Sequence, residues 1–251
     1  MKLYADCHTH TIYSHGKGTI EDNVKAAIEK GLKLVVISDH GPGHMFFGVS
    51  SQNLKKMKNE IAELQKKYNN IEIRLGVEAN IIGRDGTLDV NSGDLETVDM
   101  LLAGFHNGVR FKSFKDFLWL YVFNLAAKIF PPIREKCREV NTKAVISAIE
   151  KYNINFITHP GAKADINTEL LAKAAAKCGT ALEINASHGF LNTDYVKIAM
   201  KEKVNFIINS DAHRPCNVGN FTKGIKTAID AGLPPERILN AEEFKNGEDK
   251  K

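Results

Sequence analysis

The chain has little cysteine, proline or tryptophan: four, seven and one among 251 residues. The cysteines (Cys7, Cys137, Cys178 and Cys216) are scattered, with no C-x-x-C pair and no disulfide-like spacing, so a disulfide framework is excluded. Neither sign of charge dominates. A net charge of +4 and a pI near 8.7 suit an anionic substrate but are too weak to argue for nucleic-acid binding. No apolar run is long enough to span a bilayer. No signal peptide is visible either, since Met1-Lys2-Leu3-Tyr4 runs straight into a strand pattern, and the expected location is the cytoplasm. With 43% hydrophobic and 25% charged residues, the composition is that of a soluble globular protein. One domain over residues 1–245, with a frayed tail at 246–251, is the expected organisation.

What the chain does have is histidine, and it stands in particular places. Asp6-Cys7-His8-Thr9-His10, followed by His15, opens the sequence. Alternation along a strand puts Asp6, His8 and His10 on one face. Two close imidazoles with a carboxylate suit a divalent metal, whereas Cys7 on the opposite face reads as packing.

Helix and strand signals then alternate. Thr19 is an N-cap candidate for a helix that Gly31 stops, and the apolar run Leu34 to Ile37 reads as a buried strand. That strand leads into the loop Ser38-Asp39-His40-Gly41-Pro42-Gly43-His44. Further strands are expected at 71–78, 98–103, 155–158, 181–185 and 205–210, separated by helices that include 54–68, 141–152, 167–178 and 222–231. Seven strands alternating with helices imply a parallel sheet. Six of the seven end in, or run into, His, Asp or Glu, and in a barrel of parallel strands those ends gather at one rim. The rim set is His8, His10, His15, His40, Glu78, His106, His159, Asp211 and His213, which includes seven of the nine histidines.

The ordered motifs carry a resemblance. D-x-H-x-H-T at Asp6 to Thr11, S-D-H-G at Ser38 to Gly41, the strand-end Glu78, G-F-H at Gly104 to His106, T-H-P-G at Thr158 to Gly161 and S-D-A-H at Ser210 to His213 are similar to the PHP metallohydrolase family. Within it, they resemble the stand-alone YcdX-like phosphatases most closely. The resemblance implies an α/β fold of the distorted (β/α)7 TIM-like barrel type, holding three divalent metals, zinc first, with manganese or iron as alternatives. It implies that His8, His10 and Asp211 bind the first metal and Glu78 bridges to a second. His106 and His159 would complete the second, and His15, His40 and His213 would hold the third. Asp211, Glu78 and His213 are the expected catalytic set. Asp6 and Asp39 are expected to orient imidazole N–H groups.

Charge agrees with a phosphate ester. Three divalent ions bring about +6, and two carboxylates return about −2, leaving about +4 to be met by hydroxide and an anionic ligand. The expected reaction is in-line attack of a metal-bridging hydroxide on the phosphorus of a small phosphomonoester, with no covalent enzyme intermediate. Phosphodiesterase or nuclease action, histidinol-phosphate hydrolysis and a non-catalytic regulatory metal module are the alternatives. Arg214, beside His213, is a candidate for bidentate phosphate binding. His44 and His188 are further substrate candidates, and Asn185 resembles a polar position of the family near the metals.

One segment departs from the compact pattern. Phe111, Phe114, Phe117, Trp119, Tyr121, Phe123 and Phe130 crowd an insertion at about 109–136. Phe117 to Phe130 reads as one helix, apolar nearly all round. Ordinary packing, a lid or homo-oligomer contact through 111–130, and docking at a membrane surface are its three readings.

Overall fold

Strand order follows chain order in the computed structural model, which describes residues 1–242. The tail expected at 246–251 lies outside the described residues. Strands β1 (Ala5–Thr9), β2 (Leu34–Ile37), β3 (Glu72–Asn80), β4 (Met100–Gly104), β5 (Phe156–Ile157), β6 (Ala181–Asn185) and β7 (Phe206–Asn209) pair in parallel, each with the next. Loop contacts rather than a ladder bring β7 back to β1. The N–H of His10 donates to Ala212 O (2.8 Å), that of Ala212 to His8 O (3.3 Å), and that of Cys7 to Asn209 Oδ1 (2.9 Å). The result is a nearly closed seven-stranded α/β barrel.

Alternation assigns the two faces. Ala5, Cys7, Leu34, Val36, Leu102, Phe156, Ala181 and Ile207 fill the barrel interior. Their neighbours Val35, Ile37, Leu101, Ile157, Leu182, Phe206 and Ile208 meet the surrounding helices in a second, larger core. Glu72, Arg74, Gly76, Glu78 and Asn80 have the parity of the inner face of β3. Gly76 is required there, since a Cβ would lie 2.9 Å from Val36 Cγ1.

Helices α1 (Ile20–Glu29), α2 (Ser51–Lys67) and α3 (Ser92–Thr97) follow β1, β2 and β3. Thr19 and Asp22 close a capping box at α1, whose Ile20, Val24 and Ala27 face inward at helical spacing.

The insertion is not one helix. Short turns α4 (Phe114–Phe117) and α5 (Phe123–Ala126) flank a π-helical segment, Leu118–Val122. The side chain of Asn124 accounts for the irregularity: its amide donates to Trp119 O (3.0 Å) and to Asn141 Oδ1 (3.0 Å). The helix then breaks at Phe130, whose backbone is extended before Pro131-Pro132 (φ −111°, ψ 92°). Those prolines open α6 (Pro131–Lys151), so this helix begins well before the expected Asn141. Helices α7 (Thr168–Cys178), α8 (Thr193–Ala199) and α9 (Thr222–Ala231) complete the shell. No helix among the described residues is long and apolar enough to cross a membrane.

Candidate metal centre

Strand β1 does not alternate throughout. Asp6 pairs with Val35 and Thr9 with Ile37, so β1 carries one more residue than β2 over that stretch. Paired residues share a face, and Val35 and Ile37 belong to the outer core. Asp6 and Thr9 therefore point outward, while His8 and His10 turn to the rim. The expected role of Asp6 fails for this reason. Its carboxylate accepts from Ser210 N–H (3.2 Å), Ser210 Oγ–H (2.5 Å) and Gly219 N–H (2.9 Å), and no imidazole reaches it. Asp39 is divided between Thr11 and His10. It accepts from the N–H (2.7 Å) and hydroxyl (2.5 Å) of Thr11, and His10 Nδ1 stands 3.8 Å away, beyond a hydrogen bond.

At the rim, Glu78 is the hub. Its Oε1 lies 3.1 Å from Nε2 of both His106 and His159 and 3.3 Å from His8 Nε2. Its Oε2 lies 2.9 Å from His40 Nδ1 and 3.6 Å from His10 Nε2. Asp211 Oδ1 adds contacts to His10 Nε2 (3.2 Å) and His8 Nε2 (3.6 Å). His15 stacks on His40 with ring centroids 4.9 Å apart, and its ring lies 4.1 Å from that of His213. The structure thus gathers all nine rim residues of the sequence reading into one cluster.

Two of them have strained backbones. His159 (φ 29°) and Asp211 (φ 52°) occupy the left-handed region just past β5 and β7. Such a conformation costs a non-glycine residue about 1–3 kcal/mol and concentrates at functional sites.

A residue that strand alternation hid holds the inner side of the cluster. Glu183, fully buried in β6, accepts from His8 Nδ1–H (2.7 Å) and Asn209 Nδ2–H (3.0 Å) on Oε1. On Oε2 it accepts from His159 N–H (2.7 Å) and Asn185 Nδ2–H (3.0 Å). The bond to His8 keeps a proton on Nδ1, so Nε2 is the atom turned toward Glu78 and Asp211 and the one free to bind a cation once its own proton leaves. His213 is set in the same way by Nδ1–H donating to Asp211 O (2.9 Å).

Asn185 is buried and fully engaged. Its amide also donates to Asp211 Oδ2 (3.1 Å), and its Oδ1 accepts the N–H groups of Ser187 (3.0 Å) and His188 (2.8 Å). It orders the site rather than facing a substrate. His188, held by that bond, stands 3.4 Å from Asp211 Oδ2 with a side chain 35% exposed. Arg214 is exposed and does not line the cleft. It caps the short 3-10 turn Pro215–Asn217 with an extended backbone (φ −139°, ψ 141°). The cation that does line the cleft is Lys163, four residues past His159 and missed in the sequence. A lysine in a loop after Pro-Gly gives no local signal. The cleft holds about 280 Å³, and His44, Phe47, Asn107, Ser187 and His188 complete its walls.

Electrostatics divide the imidazoles. Burial favours the neutral ring everywhere. At His8 it is outweighed by Glu183, Glu78 and Asp211, which hold the pKa well above the usual value. At His10, burial is outweighed by the hydrogen bond to Asp211 and by the Asp39 carboxylate beside Nδ1, which carry it to about 9. At three other rings burial wins, helped by neighbouring imidazoles: His15 and His106 fall to about 3 and His213 to about 4. Against burial, His106 and His8 keep Glu78 well below the carboxylate range, and His8 and His10 do the same for Asp211.

The donor set fits divalent cations. His10 Nδ1, His40 Nδ1, His106 Nδ1 and Glu78 Oε2 are buried without a hydrogen-bond partner, although His40 Nδ1 and Glu78 Oε2 are only 2.9 Å apart. Buried polar atoms left without a partner are costly unless something else satisfies them. Three groups have ligand atoms close enough to share an ion: His8 with His10 and Asp211, His10 with His40 and His213, and His40 with Glu78 and His106. A fourth, His159 with His188 and Asp211, adds His188 to the ligand candidates.

A family model described as the PHP domain matches residues 6–187. A probable phosphatase of Shewanella frigidimarina is 34% identical over 256 residues, covering 96% of this chain and 90% of the relative. A probable phosphatase of Thermoanaerobacter sp. is 34% identical over 259 residues, covering 96% and 92%. Among solved structures, a histidinol phosphate phosphatase from Lactococcus lactis subsp. lactis, complexed with zinc, L-histidinol and phosphate, superposes with a TM-score of 0.61. It is 16% identical, with 92% of this chain and 93% of that one covered, and at that identity the likeness speaks for the fold.

Proposed function

The chain belongs to the PHP domain family and is a phosphatase, and from that premise we propose that it hydrolyses a small phosphomonoester at a centre of three divalent metals. The observation that carries this reading is the Glu78 carboxylate, with nitrogens of His8, His10, His40, His106 and His159 all within 3.6 Å of it. One buried carboxylate does not need five imidazoles for its own satisfaction. A shared set of cations does.

His8, His10, Asp211 and Glu78 would hold one ion, Glu78, His106 and His159 a second, and His15, His40 and His213 a third, with His188 available beside Asp211. Zinc, manganese or iron held there would supply Lewis-acid polarisation of the phosphoryl oxygens and would lower the pKa of water toward neutrality.

The chain's residues prepare that chemistry. Glu183 fixes His8 in the tautomer that presents Nε2, and Asp211 O does so for His213. Burial keeps the rings of His15, His106 and His213 neutral, so each offers one nitrogen lone pair without first losing a proton. His44 accepts the N–H groups of Phe46 (3.4 Å) and Phe47 (3.2 Å) on Nδ1, so its neutral ring carries the proton on Nε2 as a donor for a substrate oxygen. Lys163 places a positive charge on the cleft wall, where a phosphate dianion would meet it.

Asp211→Ala and His10→Ala test the reading against a non-catalytic metal module. Turnover should fall by orders of magnitude together with metal content. Loss of metal from a protein that never released phosphate would favour the module.

A further inference from the structure

The cleft is polar on every side but one. There, Met45, Phe46 and Phe47 are 54%, 75% and 41% exposed, three consecutive large apolar side chains in the loop after His44. Phe47 lines the cleft itself, its ring centroid 4.7 Å from that of His15 and 5.2 Å from that of His44. Phe46 follows at 6.3 Å.

This lip is built, not loose. Met45 N–H donates to Gly108 O (2.9 Å), Gly48 N–H to His44 O (2.9 Å) and Val49 N–H to His40 O (3.0 Å), while His44 Nδ1 takes the two phenylalanine amides. Gly108, in the left-handed region (φ 75°), lets the facing strand of loop pass beneath Phe46. Holding apolar rings rigidly in water is unfavourable unless they are covered for part of the working cycle. His15, beside Phe47, and His213, beside His15, belong to the cluster that would receive the phosphoryl group. A ligand anchored there has its organic part directed out past Phe47.

We propose that Phe47, backed by Phe46 and Met45, is the specificity surface for the alcohol of the substrate, and that this alcohol carries an aromatic ring close to its ester oxygen. The inference rests on the phosphatase reading for its chemistry, but the surface can be tested without turnover. A planar ring covers the exposed face of Phe47 and gains offset stacking, whereas a polyol leaves it wet.

The experiment compares benzyl phosphate with glycerol 3-phosphate, both esters of primary alcohols, on metal-loaded wild type, Phe47→Ala and Phe47→Trp. The ratio of kcat/KM for benzyl over glycerol esters should drop about tenfold in Phe47→Ala, mainly through KM, and be retained in Phe47→Trp. An unchanged ratio in the folded alanine variant overturns the proposal. In parallel, calorimetry measures benzylphosphonate against methylphosphonate. Wild type should prefer the benzyl compound about tenfold and the alanine variant should not. If neither ester is turned over but that preference appears and disappears as stated, the lip stands and the hydrolase reading falls. Equal affinity for the two phosphonates in wild type overturns the lip itself.

Discussion

His8 Nδ1 lies 2.7 Å from Glu183 Oε1, both fully buried, in strands β1 and β6. The contact fixes the ring's tautomer from behind, on the side away from the cluster. Because Glu183 accepts four hydrogen bonds, Glu183→Gln places an NH₂ group against donors. We expect loss of about 10–100-fold in metal affinity or activity, with the fold largely kept. Metal content after dialysis, read beside kcat, checks this. Wild-type values in both would remove Glu183 from the site.

Metal uptake should depend on pH through His10. Its metal-free pKa of about 9 means that an incoming cation displaces a proton below that pH. Affinity should therefore rise with pH up to about 9 and proton release should be measurable in buffers of different ionisation enthalpy. The linked stability runs the other way. A folded pKa above the unfolded value of about 6.5 stabilises the metal-free protein fully below that pH, and the gain is lost as pH rises through about 9. Melting curves of metal-depleted protein at pH 6.5 and 9 should show the drop, and a flat profile would argue against a charged His10.

Asp6 gives a contrasting case. It ties β1 to the residues after β7 and touches no imidazole, so Asp6→Ala leaves the donors of Ser210 and Gly219 without partners. A destabilisation of about 2–4 kcal/mol is expected, seen as a lower denaturation midpoint while metal-loaded protein keeps its substrate ranking. An unaltered midpoint would contradict this account of the closure.

The insertion presents Phe114, Leu125, Ile129 and Phe130 to solvent, at 73%, 44%, 76% and 60% exposure. Contact between copies of the chain is the reading of residues 111–130 that we favour. Sedimentation should show a self-associated species that Phe114→Glu combined with Ile129→Glu disperses. A monomer across the concentration range would leave the segment without that role.

The sequence made the rim legible because parallel strands end on one side: His40, His106, His159 and Asp211 follow strand runs, and Glu78 lies near the end of β3. Its failures have local causes. A bulge in β1 changed the parity of Asp6, and no residue type announces a bulge in a parallel pair. Glu183 sat inside an apolar strand, where a carboxylate reads as plain alternation until the strands curl and its face proves to be the interior. Arg214 looked closer to the phosphate than Lys163 because sequence adjacency to His213 says nothing about direction. The helix expected over Phe117–Phe130 ignored Asn124, whose amide competes with the backbone at Trp119 O and pairs with Asn141.

Phosphate release from phosphomonoesters, with a bis-ester alongside, by metal-depleted protein before and after reloading with zinc or manganese decides whether the centre is a metal-dependent phosphomonoesterase. Depleted protein should release none, reloaded protein should release phosphate rapidly from monoesters, and chelator should abolish it. Cleavage of the bis-ester alone, or no release with metal shown to be bound, would contradict that reading.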